Sequence, residues 1–146
     1  MQILIGSDHA GYLLKEEIKK YLITHNYNLT DVGCFNQDSC DYPVIADKLC
    51  SKLSPQHAQE IILYDVGILV CGTGIGMSIK ANRYPSIRCA LCYNVDCAEF
   101  GRKHNDSNVL ALGSRIINTD DALKIVDKFL TTKFEGGRHK RRINML

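Results

Sequence analysis

Val66-Gly67-Ile68-Leu69-Val70-Cys71, followed at once by Gly72-Thr73-Gly74-Ile75-Gly76, is the stretch on which the fold turns. An uncharged, β-branched run of this length predicts a strand buried on both faces. The glycines that end it predict a tight turn into a helix reaching about Asn82. Toward the N-terminus the pattern repeats. Gln2 to Gly6 reads as a first strand, and Ala10 to Asn26 as a helix with Leu13, Leu14, Ile18, Tyr21 and Leu22 inward and Lys15, Glu16, Lys19 and Lys20 toward water. Asn28 to Gly33 reads as a second strand, and Val44 to Leu53 as a helix with Pro43 in its first turn. Toward the C-terminus, Ile87 to Tyr93 is a fourth strand, Asn94 caps a helix to about Lys103, and Asn108 to Gly113 is a fifth strand. Thr119-Asp120-Asp121 then opens a long helix with Leu123, Ile125, Val126, Phe129 and Leu130 inward. Ser54 to Asp65 reads as a surface excursion. Apolar strands alternating with helices give an α/β fold: a single three-layer Rossmann-like domain, residues 1–146, with a five-stranded parallel sheet and a basic tail over 135–146.

The composition of the 146 residues narrows the function classes. It is 45% apolar and 23% charged, enough for one full core and unlike a disordered chain. No apolar run approaches the roughly 20 residues of a membrane span, and the start Met1-Gln2-Ile3 lacks the pattern of an export signal. The expectation is therefore a cytoplasmic protein with no membrane partner. Its seven cysteines, an odd number, fit free thiols in a reducing compartment. Net charge is only +2, and Arg138, Lys140, Arg141 and Arg142 concentrate positive charge in the tail. With no aromatic stacking pattern beside it, that tail argues against a nucleic-acid partner and for binding a small anion.

In parallel α/β sheets ligands sit at the carboxyl ends of the strands, which selects Ser7 to Gly11, Cys34 to Tyr42, Cys71 to Gly76, Tyr93 to Asp96 and Ser114 to Arg115 for inspection. Cys71 with Gly72, Thr73, Gly74, Ile75 and Gly76 brings backbone N–H groups close to a ligand, and a helix start there would favour an anion and the Cys71 thiolate. The same glycines also suit an inert turn, and the pattern is neither a dinucleotide fingerprint nor a P-loop. Asp8 and His9 can relay protons or bind hydroxyls, or Asp8 can cap the next helix. Asp41 and Tyr42 are either a helix start or a hydroxyl-binding pair. His104 with Asn105 is either an acid–base group with a hydrogen-bonding neighbour or a polar turn. Arg138 and Arg142, four apart after Gly136-Gly137, would share a helix face as a phosphate fork, or belong to a solvated tail. No His-x-x-x-His pair occurs. Cys89-x-x-Cys92 falls within an expected strand, so no metal site is expected.

Taken in order, Gly6-Ser7-Asp8-His9-Ala10-Gly11, Asp41-Tyr42-Pro43, Cys71-Gly72-Thr73-Gly74-Ile75-Gly76, His104 through Arg115 and Glu135-Gly136-Gly137-Arg138-His139 resemble ribose-5-phosphate isomerase type B, of the family shared with galactose-6-phosphate isomerase subunits. The resemblance covers nearly the whole chain. It implies an aldose–ketose isomerase of pentose phosphate metabolism with no cofactor, passing through a cis-enediolate. It further implies Cys71 as base, His104 as ring-opening acid, Thr73 and the loop N–H groups as the anion hole, and Asp8, His9, Asn105, Arg115, Arg138 and Arg142 as substrate-binding residues. One branch of the family carries a Glu as base one residue past the last loop glycine. Met77 stands there in this chain, which places the chain in the cysteine branch. The resemblance implies a homodimer, or a dimer of dimers, with sites shared between chains.

Overall fold

The computed structural model describes residues 1–54 and 63–146; most of the expected Ser54 to Asp65 excursion lies outside the described residues. The chain alternates strand and helix: β1 Gln2–Ser7, α1 Tyr12–Thr24, β2 Asn28–Asp31, α2 Tyr42–Leu53, β3 Val66–Cys71, α3 Ile75–Ala81, β4 Cys89–Leu91, α4 Val95–Asn105, β5 Val109–Gly113, α5 Thr119–Thr131 and α6 Arg138–Ile143. All strand pairs are parallel, in the order β2-β1-β3-β5-β4. The five-stranded Rossmann-like sheet is thus as read from the sequence, with β2 and β4 shorter than expected. Both are edge strands, paired on one side only, so their ends are not held in the ladder.

Side chains alternate across the sheet with the period of two that strands impose. Ile3, Ile5, Ile68, Val70, Leu110 and Leu112 face one layer, where α1 and α5 supply Leu14, Ile18, Leu22, Ile125, Val126 and Phe129. Leu4, Leu69, Cys71, Val109 and Ala111 face the other, against Ile45, Leu49 and Leu53 of α2 and Met77 and Ala81 of α3. Burying each large side chain contributes about 1.5–3 kcal/mol, which makes these two layers the main source of stability. Among the described residues no helix is long and apolar enough to cross a membrane.

Two expectations for α1 are corrected. Leu13 is exposed, because it lies off the stripe formed by Leu14, Ile18 and Leu22. Lys15 is wholly buried instead of facing water. Its ammonium donates to both Asp31 carboxylate oxygens, at 3.0 and 2.7 Å, and to the Cys34 carbonyl at 2.6 Å. Those acceptors replace the water it gives up. The free-thiol expectation is corrected too: Cys34 and Cys40 form a disulfide across the loop after β2, while the other five cysteines are free.

The sheet reverses its direction of winding between β1 and β3, since β1 leads outward to β2 and β3 leads the other way to β5 and β4. The crevice outside the carboxyl ends of two such strands is where open α/β sheets bind ligands.

Candidate active site

A hollow of about 230 Å³ opens at that crevice, lined by Asp8, His9 and Ala10 after β1, Tyr42 at the start of α2, Cys71, Gly72, Thr73 and Gly76 after β3, and Arg115 after β5. Strand register explains the assembly. Ser7 pairs with Val70 and Cys71 with Gly113, so three chain segments leave the sheet at one level. Ser114 ties them together, its hydroxyl donating to the Ala10 carbonyl at 2.8 Å and lying 3.2 Å from the Cys71 carbonyl.

Within the loop, Gly74 has a φ of 77°, a conformation glycine adopts without a Cβ penalty. That turn aims the Gly74 N–H at the Cys71 sulfur, 3.1 Å away. The Ile75 N–H donates to the Thr73 hydroxyl at 3.3 Å, and the Tyr93 hydroxyl donates to the Thr73 carbonyl at 3.0 Å. Cys71 is almost fully covered, at 5% exposure, with the Gly74 N–H as the donor at its sulfur. Asp8 accepts from the Gly11 N–H at 2.9 Å; Gly11 is itself the N-cap of α1, so Asp8 fixes the turn before the helix and does not cap its first turn. The His9 ring packs its Nδ1 against the Cys40 backbone at 3.3 Å, and the Arg115 side chain lies over Gly72.

A second group forms elsewhere. His104 and Asn105 end α4, and Asp106 closes that helix in the left-handed conformation at φ 45°. Gly136 and Gly137, both with positive φ, turn the chain back so that α6 packs on α4 and the Glu135 N–H donates to the Lys103 carbonyl at 3.1 Å. A hollow of about 190 Å³ results, lined by His104, Asn105, His139, Arg142, Ile143 and Leu146. It shares no lining residue with the strand-end hollow. The His104 ring stacks between Phe100, 5.1 Å away, and His139, 4.3 Å away and nearly parallel. Burial, with His104, Arg138 and Arg142 close by, pushes the His139 imidazole below its ordinary value.

One chain therefore gathers Asp8, His9, Tyr42, Cys71, Gly72, Thr73, Gly76 and Arg115 in one place and His104, Asn105 and Arg142 in another. Asp41 is exposed at the N-cap of α2 with no capping bond, and neither it nor Gly74, Ile75 or Arg138 lines either hollow. Sequence reasoning missed Ser114, Tyr93 and His139 as parts of these sites. The first two sat at strand ends already under inspection, and His139 was hidden in what read as a solvated tail. A further hollow, about 500 Å³ between Tyr84, Arg88, Gly101 and Leu146, also touches Asn105, and its Arg88 is already paired with Asp106. Cys89 and Cys92 are packing residues: burial pushes both thiols up, Cys92 to about 12.

Residues 3–146 match the family model described as Ribose/Galactose Isomerase. A putative sugar phosphate isomerase of Rickettsia bellii is 46% identical, over 97% of this chain and 94% of its own length. The solved structure of ribose-5-phosphate isomerase B from Clostridium thermocellum superposes with a TM-score of 0.92 at 44% identity, covering 99% of this chain and 94% of that one. Ribose-5-phosphate isomerase B from Mycoplasma genitalium, solved with bound ribulose-5-phosphate, superposes with a TM-score of 0.90 at 39% identity, covering 99% and 92%.

Proposed function

The chain belongs to the ribose/galactose isomerase family of sugar-phosphate isomerases, and from that premise we propose that it interconverts ribose 5-phosphate and ribulose 5-phosphate without a cofactor. The observation that carries the reading is the Cys71 corner: a covered sulfur, a loop N–H aimed at it, and Asp8, His9 and Arg115 around one small hollow.

In the proposed reaction His104 moves the proton that opens the sugar ring. Cys71, as thiolate, takes the C2 proton of the open-chain aldose and returns it to C1, while a proton passes from the C2 oxygen to the C1 oxygen. Negative charge grows on those oxygens in between, where the N–H groups of Gly72 to Gly76 and the Thr73 hydroxyl act as fixed donors. Asp8, His9, Asp41, Tyr42 and Asn105 bind sugar hydroxyls. Arg138 and Arg142, four apart on α6, and Arg115 bind the phosphate.

The two halves lie in separate hollows of one chain, so the proposal includes a homodimer, or a dimer of dimers, in which α4 and α6 of one copy complete the strand-end hollow of another. Val44, Ile75 and Ile79 support it. All three are about half exposed on α2 and α3, helices that pack on each other beside that hollow, and they offer an apolar surface for a second copy.

Proton NMR of ribose 5-phosphate with the protein in heavy water and a chelator tests the reaction. Ribulose 5-phosphate should appear with deuterium, or partly retained protium, at the transferred carbon. Cys71→Ala should lower kcat by about 10²–10⁴. An unchanged spectrum would overturn the five-carbon assignment, and turnover of allose 6-phosphate or galactose 6-phosphate in the same tube would replace it with a six-carbon one.

A further inference from the structure

Glu135, His139 and His104 meet where α6 folds back on α4. One donor atom from each lies within 4.8 Å of the others. The spacings within the group are informative. His139 Nε2 is 3.6 Å from Glu135 Oε2, and His104 Nε2 is 4.0 Å from the same oxygen. Both are too long for hydrogen bonds. They are close to the separation of roughly 3.3 Å that two donors adopt when they share a zinc ion at 2.0–2.2 Å in tetrahedral geometry. The second observation concerns His139 alone. Its side chain is 9% exposed, its Nε2 is shut off from solvent, and that atom has no hydrogen-bond partner among the described residues. A buried ring nitrogen without a partner is costly and is uncommon in folded proteins. This one faces the Glu135 carboxylate.

We propose that His104, Glu135 and His139 form a site for a divalent transition-metal ion of the zinc class, and that filling it takes His104 out of the isomerase reaction. Two imidazoles and a carboxylate are a donor set that zinc accepts with the fourth position open. The His104 and His139 rings are 9° from parallel, so binding turns the more exposed His104 ring about its Cβ–Cγ bond, a soft torsion. Arg138 and Arg142 on the same short helix oppose a dication, and one carboxylate offsets only part of their charge. The site is therefore reversible and inhibitory rather than structural. The consequence for catalysis rests on the role given to His104 above; the binding does not.

The test is titration of chelator-stripped protein with zinc chloride in a calorimeter, with cobalt as a spectroscopic stand-in. Wild-type protein should bind one zinc per site and give the visible bands of a low-symmetry cobalt centre. Glu135→Gln, at an exposed position, should fold and turn over as wild type does but bind zinc more than roughly tenfold more weakly, and its activity should resist zinc by the same factor. His139→Gln should lose the cobalt bands. Zinc can also bind thiolates, so Cys97→Ser runs alongside. If Glu135→Gln and His139→Gln bind zinc as tightly as wild type, or if the cobalt bands show sulfur charge transfer, the proposal is overturned. Zinc held by the three residues in a protein with no isomerase turnover would support the site and overturn the functional reading instead.

Discussion

Replacing Asp31 with Asn would leave the buried Lys15 ammonium with neutral acceptors, the amide oxygen and the Cys34 carbonyl, and with Glu16, 3.5 Å away, as its nearest carboxylate among the described residues. Breaking a buried pair from one side typically costs about 3–5 kcal/mol, so Asp31→Asn should lower stability by that order in urea unfolding. Lys15→Met should cost less, since Asp31 would keep Lys19 at 2.7 Å and the Gly33 N–H at 2.9 Å. The pH dependence follows from the same contacts. Burial raises the Asp31 carboxyl, but the Lys15 and Lys19 ammoniums and the Gly33 N–H together outweigh it and hold it below its ordinary value. A depressed carboxyl contributes stability above the unfolded value, near 4, and loses it as pH falls through the folded one. Acid unfolding below about pH 4 should therefore be shallower in Asp31→Asn than in wild type. Matching acid slopes would rule out this carboxylate as a main contributor. At Gly74 the prediction concerns geometry. A Cβ there would lie 2.6 Å from Leu91 and 2.9 Å from the Leu112 backbone, on a residue whose φ is 77°. Gly74→Ala should cost about 1–2 kcal/mol from the left-handed backbone alone. It should also cut kcat, because the amide it displaces is the one aimed at the Cys71 sulfur.

Helix ends carry the next scale of consequence. The Asn118 side chain accepts from the Asp121 N–H at 2.9 Å and caps α5, whose Ala122, Ile125, Val126 and Phe129 are fully buried. Asn118→Ala should lower stability by about 1 kcal/mol in thermal or urea unfolding. A change near zero would mean that packing alone holds the helix start. Most elements of this kind were legible beforehand, because strand periodicity, Asn94 and Pro43 are local signals. What escaped was long-range. Lys15 reads as a surface lysine until β2 places Asp31 beside it, 16 positions along the chain. The Cys34–Cys40 bond depends on a loop path that no periodicity encodes. The strand order, with β5 inserted between β3 and β4, is set by how the helices pack. In the candidate site, the glycine loop was visible as residue types at a telling spacing. The stacking of His139 on His104 was not, since it needs α6 to fold back onto α4.

At the scale of the whole molecule, the separation of the two hollows makes the strongest demand. Cys71 sits among β1, β3 and β5 loop residues, while His104 and Arg142 sit between α4 and α6. A reaction that needs both has two routes: a large rearrangement within one chain, or a second chain. Rearrangement would have to unpack α4, which buries Ala98 against the sheet and packs along α5, so the second route is favoured. Subunit mixing separates the two. Chains carrying Cys71→Ala and chains carrying His104→Ala should each be inactive alone. Unfolded together in equal amounts and refolded, about half of the dimers would pair one chain of each kind. In such a dimer one site has lost both groups, and the other draws an intact Cys71 from one chain and an intact His104 from its partner. Activity should return to about a quarter of the wild-type rate per chain. If the two groups act within one chain, every site in every mixture lacks one of them and nothing returns, even though circular dichroism and the mass of the assembly are those of the wild type.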